Sequence, residues 1–419
     1  MSQNTANPAP VRPVDEVYTE FVRAGSGRQS EEWVRLIREM AAHGPIADLG
    51  RNRFAVIGFD EVDEALKNPE ILMIDFEHQQ RFLEDVPDSV SVRAFADTML
   101  MQNPPNHTRM RKVFRRAFTP RRLNLLRDSI EAIVDRALDA LPEKTGPDGT
   151  VDLVDNFTYR IPIQVISDLI GIPEADRPRV EADAELFIKA TELGDGDDGE
   201  RRRLADEGTE RLQEYFRGFI ATRRAEPAED LASEAIANSD AMEDPLTENE
   251  MTSNFLLLYF AGFFTTVHLI GNGIVHGDRE RHWMPLVASG GTVADGYVGE
   301  TLRAWPSILF TARRVADPVE LGGTTLPADS DLVVMTSVAN RDPAVYPDPD
   351  LFDPYRDHGR VLTFGGGAHF CIGAALAKME ARVALSKLWE RHPDMRLSGE
   401  PELAQVPGVI GYNRLPARL

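Results

Sequence analysis

The amino-acid sequence predicts a mainly α-helical protein that carries small β-sheets. Segments with helical periodicity or helix-favouring composition occupy most of the chain, whereas the strand-like segments are short and clustered. Strands and helices do not alternate as they do in β-α-β units. This pattern argues against a doubly wound nucleotide-binding fold.

The predicted elements can be placed along the chain from their periodicity and their end signals. Pro393 ends the last predicted helix, and residues 327–329 separate two strand-like segments. Helices are predicted over residues 31–42, 61–66, 107–118, 120–140, 200–224, 248–275 and 373–392. Strands are predicted over residues 54–57, 320–326 and 332–336.

Composition and charge limit the possible functions. Of the 419 residues, 42% are hydrophobic, and the formal net charge of −22 argues against a nucleic-acid binder, which needs a basic face. No run of roughly 18 apolar residues is present, so the sequence predicts no membrane span. We therefore expect a cytoplasmic monomer with a disordered N-terminal lead-in, residues 1–14, and a single domain, residues 15–419.

Cys371 is the only cysteine, so the chain cannot form an intramolecular disulfide. It follows three consecutive glycines, residues 365–367, and stands directly before a predicted helix. Glycines let the backbone lie close against a flat ligand, and the amide dipoles at a helix N-terminus lower a thiol pKa. These residues alone leave three interpretations open: a thiolate site, a Gly-rich turn beside a buried cysteine, and a phosphate-binding loop. The last lacks the Gly-Lys-Ser/Thr sequence that such loops carry.

The segment from Phe364 to Gly373 resembles the signature Phe-Gly-x-Gly-x-His-x-Cys-x-Gly of the cytochrome P450 family at every defining position. Further motifs occur in the family's order and spacing from about Glu31 onward. The resemblance implies the cytochrome P450 fold, with haem b buried between the helix over 248–275 and the helix over 373–392. It also implies that the Cys371 thiolate binds the iron and that Phe364 and Gly373 contact the haem.

The resemblance assigns a structural role to a pair of charged residues that alone would indicate only a solvated helix. Glu300 and Arg303 lie three positions apart and match the ExxR motif, which implies one buried ion-pair network near the haem. The segment from Ala339 to Pro343 matches the part of the family that meets this pair. Arg341 is therefore a candidate partner of Glu300.

The resemblance also implies contacts with the haem propionates. His107 and Arg111 lie four positions apart on one predicted helix face, and both can donate hydrogen bonds to a carboxylate. His369 matches another such contact. Arg313 matches the last one, with Arg314 as the alternative. Without the family match, each of them would be interpreted as an ordinary surface cation.

The helix over 248–275 contains the sequence Ala-Gly-Phe-Phe-Thr-Thr at residues 261–266. A glycine inside a helix, followed by hydroxyl residues, favours a local break of the backbone ladder. The segment resembles the family's oxygen-handling motif, which implies that Ala261 and Gly262 lie against the haem and that Thr265 helps to protonate bound dioxygen. Phe264 replaces the usual acid, so proton delivery must use other groups, such as Thr265, Thr266, water or the substrate.

The substrate pocket is predicted to be apolar, which suits a mainly hydrophobic organic molecule. Each of its candidate residues could equally be part of the core. The candidates are Phe76, Phe82, Phe95, Met99, Met101, Leu257, Phe260, Phe264, Ile308, Leu309, Phe310, Val409 and Ile410.

The predicted helix that starts at His107 has a basic face on a very acidic protein. Arg109, Lys112, Arg115 and Arg116 form this face. An acidic ferredoxin could dock there by electrostatic steering, and a solvated charged face is the plain alternative. The chain shows no appended flavin or iron–sulfur domain, so we expect electrons from a separate ferredoxin and ferredoxin reductase.

Three functional hypotheses follow. The leading one is a dioxygen-activating monooxygenase in secondary-metabolite biosynthesis, such as antibiotic biosynthesis, in which Cys371, Thr265 and the ExxR pair have the roles given above. The second keeps the fold but assigns peroxide-driven, coupling, rearranging or nitrogen-oxide chemistry, because Phe264 replaces the acid. The third is a haem-binding sensor or carrier without turnover.

Overall fold

The computed structural model describes residues 12–24, 31–75, 89–191 and 198–419. Two predicted pocket residues, Phe76 and Phe82, lie outside these ranges. Most of residues 1–14, the predicted disordered lead-in, also lie outside them. The first described helix begins at Val14, and Arg12 just before it forms ion pairs with Glu20 and Glu39.

The described part of the chain is mainly helical. The helices, numbered in chain order, are α1 Val14–Ala24, α2 Glu31–Ala41, α3 Phe59–Lys67, α4 Val90–Ala96, α5 Asn106–Phe114, α6 Pro120–Lys144, α7 Arg160–Ile170, α8 Arg177–Thr191, α9 Asp198–Ala225, α10 Leu231–Asp240, α11 Glu248–Arg279, α12 Trp283–Ala288, α13 Gly291–Ala304, α14 Thr336–Ala339 and α15 Ala374–Arg391. Short helical turns add Arg115–Phe118, Val154–Thr158 and Gly367–His369.

The strands are short and form small sheets. They are β1 Ile46–Gly50, β2 Arg53–Val56, β3 Ile71–Leu72, β4 Val151–Asp152, β5 Thr311–Val315, β6 Val319–Leu321, β7 Thr324–Leu326, β8 Asp331–Val334, β9 Arg396–Leu397, β10 Glu402–Leu403, β11 Tyr412–Arg414 and β12 Pro416–Arg418. The largest sheet has the order β1-β2-β8-β5-β3, in which β2 and β8 run parallel and the other pairs are antiparallel.

One predicted strand is wrong. Residues 320–326 do not form a single strand, because β6 and β7 pair as an antiparallel hairpin. Gly322 and Gly323 form its turn with φ values of 53° and 76°. Two central residues with positive φ give the tight turn that matches the twist of the flanking strands, and glycine takes that conformation without steric cost.

Helix α11 is the central element of the core. Its N-terminus is closed by a capping box of Thr247 and Glu250, and it packs against α7, α9, α13 and α15. Helix α11 is long and apolar enough to cross a membrane, although the sequence analysis predicted no membrane span. In the structure, 78% of its most apolar window is buried inside the protein. Helix α11 is therefore buried to the extent that is typical of a core helix.

The predicted break in α11 is absent, since residues 248–279 form one continuous helix. Gly262 instead makes room for a neighbour, because a Cβ there would lie 2.7 Å from the side chain of Ile166 on α7. Gly273 and Gly277 do the same for Leu385 and Trp389 on α15. The glycines of α11 thus let two packed helices approach closely, which fixes the distance between α11 and α15.

This packing predicts that Gly277→Ala destabilises the protein. The added methyl group would meet the Trp389 ring at 2.4 Å, and overpacking of this kind costs about 1–3 kcal/mol. Gly218→Ala is the matched control, because Gly218 lies in α9 with open space around its Cβ position. There the change should stabilise the helix by roughly 0.5–1 kcal/mol. Chemical denaturation followed by circular dichroism measures both, and equal shifts in the two variants would contradict the packing argument.

Candidate active site

A cavity lies between α11, the start of α15 and the strand β5. One wall is the face of α11 that carries Leu258, Ala261, Gly262, Thr265, Thr266 and Leu269. The opposite wall is the segment before α15, with Phe364, Gly365, His369, Cys371 and Ile372. The lining is mostly apolar and contains a smaller number of polar groups. This is the usual arrangement of a small-molecule site.

The loop that carries Cys371 is held by its own backbone. The amide of Cys371 donates to the Phe364 carbonyl at 2.9 Å, and the Gly365 amide donates to the Leu362 carbonyl at 2.9 Å. Gly367 has φ 61°, and a Cβ there would lie 2.5 Å from the Leu66 carbonyl oxygen of α3. The glycine is required both for the backbone conformation and for close contact with α3.

The Cys371 sulfur lies at the wall of the cavity, one turn before α15. Burial raises the pKa of the thiol, although the backbone amides of Gly373 and Ala374 and the charge of Arg111 favour the thiolate. The prediction of a lowered thiol pKa is therefore wrong for the protein without a ligand. The amides nevertheless point at the sulfur as predicted, and a bound metal cation would favour the thiolate directly.

A cluster of nitrogen donors lies beside the cavity, namely the His107 and His369 rings and the Arg313 guanidinium, and no described carboxylate forms an ion pair with it. The His107 and His369 rings lie 4.0 Å apart, and both ring nitrogens of His107 are buried without a hydrogen-bond partner in the described structure. Arg313 is 4% exposed, and among the described residues its guanidinium donates to its own strand alone, at Thr311 Oγ1 and the Ala312 carbonyl.

Burial and the neighbouring positive charges lower the pKa values of these groups. Burial lowers the pKa of His107 to about 4 and that of Arg313 to about 10. Burial, together with the charges of His107, Arg313 and Arg111, lowers the pKa of His369 to about 3. The two histidines are therefore neutral near pH 7, and buried donors without acceptors are costly unless a ligand accepts from them. A flat apolar molecule that carries carboxylates, as haem does, fits these donors and this cavity.

The sequence left Arg313 and Arg314 as alternatives for the last predicted propionate contact, and their side chains take different directions in the structure. Arg313 lines the cavity. Arg314 points elsewhere and forms an ion pair with Asp75 at 2.9 Å. Arg111 lies near the Cys371 loop and donates to the Phe370 carbonyl.

Glu300 and Arg303 form a fully buried ion pair on α13. Arg303 Nε and Nη2 each donate to a different Glu300 carboxylate oxygen at 2.7 Å, and both side chains are 0% exposed. Burial opposes the charged form of Glu300, but the hydrogen bonds from Arg303, His358 and the Asp353 amide outweigh it and lower the pKa of Glu300 to about 2.

The same pair positions the Cys371 loop. Arg303 Nη1 donates to the Asn340 carbonyl at 3.1 Å, and Asn340 Oδ1 accepts from the Leu362 amide at 2.8 Å. Asn340 Nδ2 also donates to Thr363 Oγ1, which lies at the start of the loop. A chain of hydrogen bonds therefore runs from the buried ion pair to the segment that ends at Cys371.

Arg341 is not the partner of Glu300 that the sequence predicts. It forms an ion pair with Asp350 at 2.8 Å, donates to the Ala304 carbonyl and lies over the Trp305 ring. The further contacts of Glu300 come from His358 at 3.0 Å and Arg356 at 3.5 Å. The sequence pattern around residues 339–343 correctly predicted that this segment lies next to the ion pair. It did not predict that Arg356, and not Arg341, reaches the Glu300 carboxylate, because that depends on where the side chains point.

The α11 wall brings together four of the predicted residues, Ala261, Gly262, Thr265 and Thr266. The Thr265 and Thr266 hydroxyls donate to the Ala261 and Gly262 carbonyls at 3.3 and 3.4 Å, which are long bonds that water or a ligand could replace. Ser307 Oγ donates to the Thr265 carbonyl at 2.8 Å and ties this turn of the helix to the segment before β5.

Phe264, a predicted member of the catalytic group, does not line the cavity. Its ring packs edge-on against the buried His268 ring at 4.8 Å. Residues 264 and 268 lie four positions apart and share a stripe of α11 that is rotated away from the cavity-lining stripe of residues 258, 261, 265 and 269. The side chain at position 264 is therefore part of the packing beside the cavity wall.

Several predicted pocket residues are likewise core residues. Of the predicted set, Ile308 and Phe310 line the cavity. Phe95 stacks on Phe187, which in turn packs against Phe260. The others that belong to the hydrophobic core or its margins are Met99, Leu257, Leu309, Val409 and Ile410. Met101 is partly buried and is not among the lining residues.

Sequence reasoning missed lining residues that helical spacing could have found. Leu258 and Leu269 lie on the same face of α11 as Ala261 and Thr265, whereas Leu257, Phe260 and Phe264 lie on another face. A helical wheel centred on Thr265 would have separated the two sets. Ile166, Leu100, Phe118 and Met73 also line the cavity, and no local pattern indicates them because they come from distant segments.

Only part of the predicted basic face that starts on α5 is exposed to solvent. Arg109 is paired with Glu250 and Asp244 and so closes the N-terminus of α11. Lys112, Arg115 and Arg116 are exposed, and the Phe370 side chain beside Cys371 is 45% exposed. Exposed cations therefore follow Arg111, whose side chain contacts the Cys371 loop at the Phe370 carbonyl.

Comparison with known proteins places this geometry in a family. A family model described as "Cytochrome P450" matches residues 292–392. Cytochrome P450 monooxygenase PikC from Streptomyces venezuelae is 36% identical over 397 residues, covering 92% of this chain and 90% of PikC. The 6-deoxyerythronolide B hydroxylase of Saccharopolyspora erythraea is 34% identical over 409 residues, covering 93% of this chain and 96% of that enzyme. The crystal structure of ligand-free CYP164A2 from Mycobacterium smegmatis has a TM-score of 0.81 at 31% identity and covers 97% of this chain and 100% of that one.

These similarities extend over nearly the whole chain, which belongs to the cytochrome P450 family. The family binds haem b through a cysteine thiolate, and the homologues are monooxygenases, so the protein is an oxidoreductase. The predictions of a mainly helical cytochrome P450 fold, of the family and of the cofactor are confirmed.

The buried ion pair predicts how stability depends on pH. Because the pKa of Glu300 falls from 4.5 to about 2 on folding, its stabilising charge is fully present above pH 4.5 and is lost as the pH falls through about 2. Glu300→Gln should cost about 3–5 kcal/mol near neutral pH, since Arg303 loses its buried partner. The difference from the wild type should shrink between pH 4.5 and pH 2.

Urea denaturation at several pH values measures this difference. Glu390→Gln, at an exposed position of the same fold, is the control and should change the unfolding free energy at neutral pH by less than about 0.5 kcal/mol. A loss in Glu300→Gln that stayed constant down to the lowest pH would show that the carboxylate charge is not what stabilises the fold.

Proposed function

We propose that this protein is a haem-thiolate monooxygenase whose iron ligand is Cys371, and that it oxidises a mainly hydrophobic organic molecule with dioxygen. The observation that carries the proposal is the arrangement of the cavity. It has a cysteine sulfur at one wall, a hydroxyl-bearing helix face at the other, and beside it the charged Arg313 and the His107 ring, whose nitrogens have no hydrogen-bond partner in the described structure. Cys371 is also the only cysteine in the chain, so no other thiolate is available to the cofactor.

The residues that would hold the haem fit its chemistry. His107, Arg313 and His369 would bind its carboxylates, with Arg111 nearby, and the apolar lining would cover the macrocycle. Phe364, Gly373, Ala261 and Gly262 would contact its faces. The bound haem would supply oxygen activation, and a thiolate ligand favours cleavage of the O–O bond.

The chain's own contribution is to orient groups and to exclude water. The amides of Gly373 and Ala374 and the charge of Arg111 stabilise negative charge on the Cys371 sulfur. Thr265 offers a hydroxyl whose present bond to the Ala261 carbonyl is long, so that the hydroxyl can turn to hold a proton at the oxygen site. Leu258, Ile308 and Phe310 would hold the substrate and keep bulk water out.

The substrate class follows from the lining and from the relatives. The lining offers apolar side chains with few polar groups, which fits a bulky hydrophobic molecule. One relative is named as a hydroxylase of 6-deoxyerythronolide B, and a role in secondary-metabolite biosynthesis is the extension of that similarity to this chain. We expect the protein to act in the cytoplasm as a monomer.

The function is tested first on the iron ligand. The reduced wild-type haemoprotein should show the strongly red-shifted carbon monoxide Soret band of thiolate ligation, and Cys371→Ser should lose it because a hydroxyl is a far weaker ligand. Thr265→Ala, at the opposite wall, should keep the band. A wild-type band at the position typical of neutral histidine ligation would contradict the assignment of Cys371.

Turnover with isotope-labelled dioxygen then separates monooxygenation from the alternative chemistries. With 6-deoxyerythronolide B and related macrolactones as first substrates, one labelled oxygen atom should enter each product molecule. Product formed only with peroxide, or a coupled or rearranged product without the label, would instead support the second hypothesis. Spectral shifts on substrate addition without any product would support a sensor or carrier.

We also propose that an acidic ferredoxin delivers electrons at the exposed cations of α5 and of the helical turn that follows it. Lys112, Arg115 and Arg116 follow Arg111, which donates to the Phe370 carbonyl next to Cys371, and opposite charges would steer the partner. Lys112→Glu should slow reduction by ferredoxin roughly tenfold at low salt and reduce its dependence on salt. Arg202→Glu makes the same change of charge on α9 and should leave the rate unchanged. Equal rates in both variants, measured by stopped-flow reduction, would place the docking surface elsewhere.

A further inference from the structure

A second cavity opens at the surface of the protein, apart from the cavity of Cys371. Helix α9 forms one wall, and the segment that joins α7 to α8 forms the other together with the first turn of α8. The volume of this groove is about 340 Å³, which lies within the range of small-molecule sites, roughly 300–1,000 Å³. Its described lining residues are all different from those of the Cys371 cavity.

Gly218 keeps the groove open. It lies in the interior of α9 and lines the groove, and a Cβ at this position would have no heavy atom within 4 Å. By contrast, a Cβ at Gly208 of the same helix would lie 2.6 Å from the Asp183 carbonyl oxygen. A glycine inside a helix weakens it, and at position 218 no packing contact requires one. What the glycine provides there is the open space that a side chain would fill.

One polar wall of the groove is held rigidly. Arg223 Nε donates to Asp230 Oδ2 at 2.6 Å, and Arg223 Nη2 donates to the Gly171 carbonyl at 2.7 Å. The guanidinium carbon lies 4.9 Å from the centroid of the Phe219 ring, and Asp230 is buried. These contacts fix the direction of the guanidinium and leave Arg223 Nη1 to donate to a ligand. A donor fixed in advance loses little entropy when it binds.

The groove also has an aromatic surface and a bond that joins its walls. The Tyr215 and Phe219 rings are nearly parallel, with an angle of 12° and centroids 5.9 Å apart. The Tyr215 hydroxyl donates across the groove to Asp176 Oδ2 at 3.2 Å. Glu214 adds a second carboxylate and Arg179 a second guanidinium to the lining.

These groups define the chemistry of a ligand. The lining contains two carboxylates and two guanidiniums, so a charged ligand of either sign would meet like charges in it. A purely apolar ligand would cover polar groups without giving them partners. A neutral ring that carries several hydroxyls both donates and accepts hydrogen bonds, and its C–H face can pack on aromatic side chains. Sugars have this combination of properties.

We propose that the groove between α9 and the α7–α8 connection is a second binding site, which takes a neutral sugar ring. The C–H face of the ring packs on Tyr215 and Phe219, and its hydroxyls bind Arg223, Asp176 and Glu214. The ring is either a free monosaccharide or the glycosyl group of a larger molecule. The site does not depend on the reaction at Cys371, because the two cavities have no described lining residue in common.

The first test detects the site by saturation-transfer NMR on the haemoprotein, with methyl glucoside as the probe. The wild type should transfer saturation to the sugar protons, and Gly218→Phe should abolish the transfer because its ring fills the groove. Glu210→Phe is the matched control, since it places the same side chain at an exposed position of α9 outside the lining, and it should retain the signal. The carbon monoxide band and the unfolding midpoint show that each variant is folded and loaded.

Three results would overturn the proposal: no signal in the wild type, a signal that survives in Gly218→Phe, and a signal that is lost in both variants. Sugar that entered the Cys371 cavity instead would shift the Soret band and would bind Gly218→Phe as well. Because a ligand that binds only the folded state stabilises it, methyl glucoside should also raise the unfolding midpoint of the wild type and leave that of Gly218→Phe unchanged.

The second test concerns the class of ligand. Glucuronate and glucosamine have the same ring with a negative and a positive charge, and both should bind more weakly than methyl glucoside. Glu214→Gln should weaken the binding of methyl glucoside roughly tenfold, because a hydrogen bond to a charged acceptor is replaced by one to a neutral group. Tighter binding of either charged sugar, or full affinity in Glu214→Gln, would overturn the assignment of a neutral sugar.

Phenyl glucoside distinguishes the two sources of the ring. Equal affinities of phenyl and methyl glucoside would show that the sugar ring alone is recognised, as a free monosaccharide requires. Tighter binding of phenyl glucoside that is lost in Gly218→Phe would show that the groove also contacts the group attached to the sugar, as the glycosyl group of a larger molecule requires. Phenyl glucoside that bound more weakly than methyl glucoside would exclude the second source.

Discussion

The structure depends on the buried ion pair of Glu300 and Arg303. Two opposite charges without solvent exposure are stable only when each has its full set of hydrogen bonds, and here the donors and acceptors come from the segment that follows β8. Satisfying the pair therefore fixes the path of residues 340–353 across the core. Asn340 then passes this constraint to the start of the Cys371 loop.

Two walls of the cavity are set by different physical means. Hydrogen bonds and a positive-φ glycine position the wall that carries Cys371. Close helix packing positions the other wall, because the glycines of α11 admit Ile166, Leu385 and Trp389 at distances that a Cβ would prevent. The cavity is thus the space that remains between a rigid loop and a rigid helix, and such preorganisation is what binding and chemistry in the cavity require.

Donors beside the cavity lack acceptors in the described part of the protein. Both ring nitrogens of His107 are buried without a hydrogen-bond partner, and burial keeps His107 and His369 neutral near pH 7, with pKa values of about 4 and about 3. Arg313 next to them keeps its charge and is 4% exposed. A core built only for stability would avoid such groups, and they explain how a cofactor that carries two carboxylates is selected.

The sequence by itself determined the mainly helical fold, the positions of most long helices and the motif around Cys371, because these depend on local periodicity, glycine content and residue spacing. The buried ion pair of Glu300 and Arg303 was predicted through the resemblance to the family, because a spacing of three positions shows that two residues share a helix face but not that the face is buried. What only the tertiary structure decided are the contacts between distant segments: Asp350, and not Glu300, pairs with Arg341, and Phe264 faces His268 rather than the cavity. The physical reason is that helical periodicity determines which residues share a face, whereas packing against segments far away in the sequence determines what that face contacts.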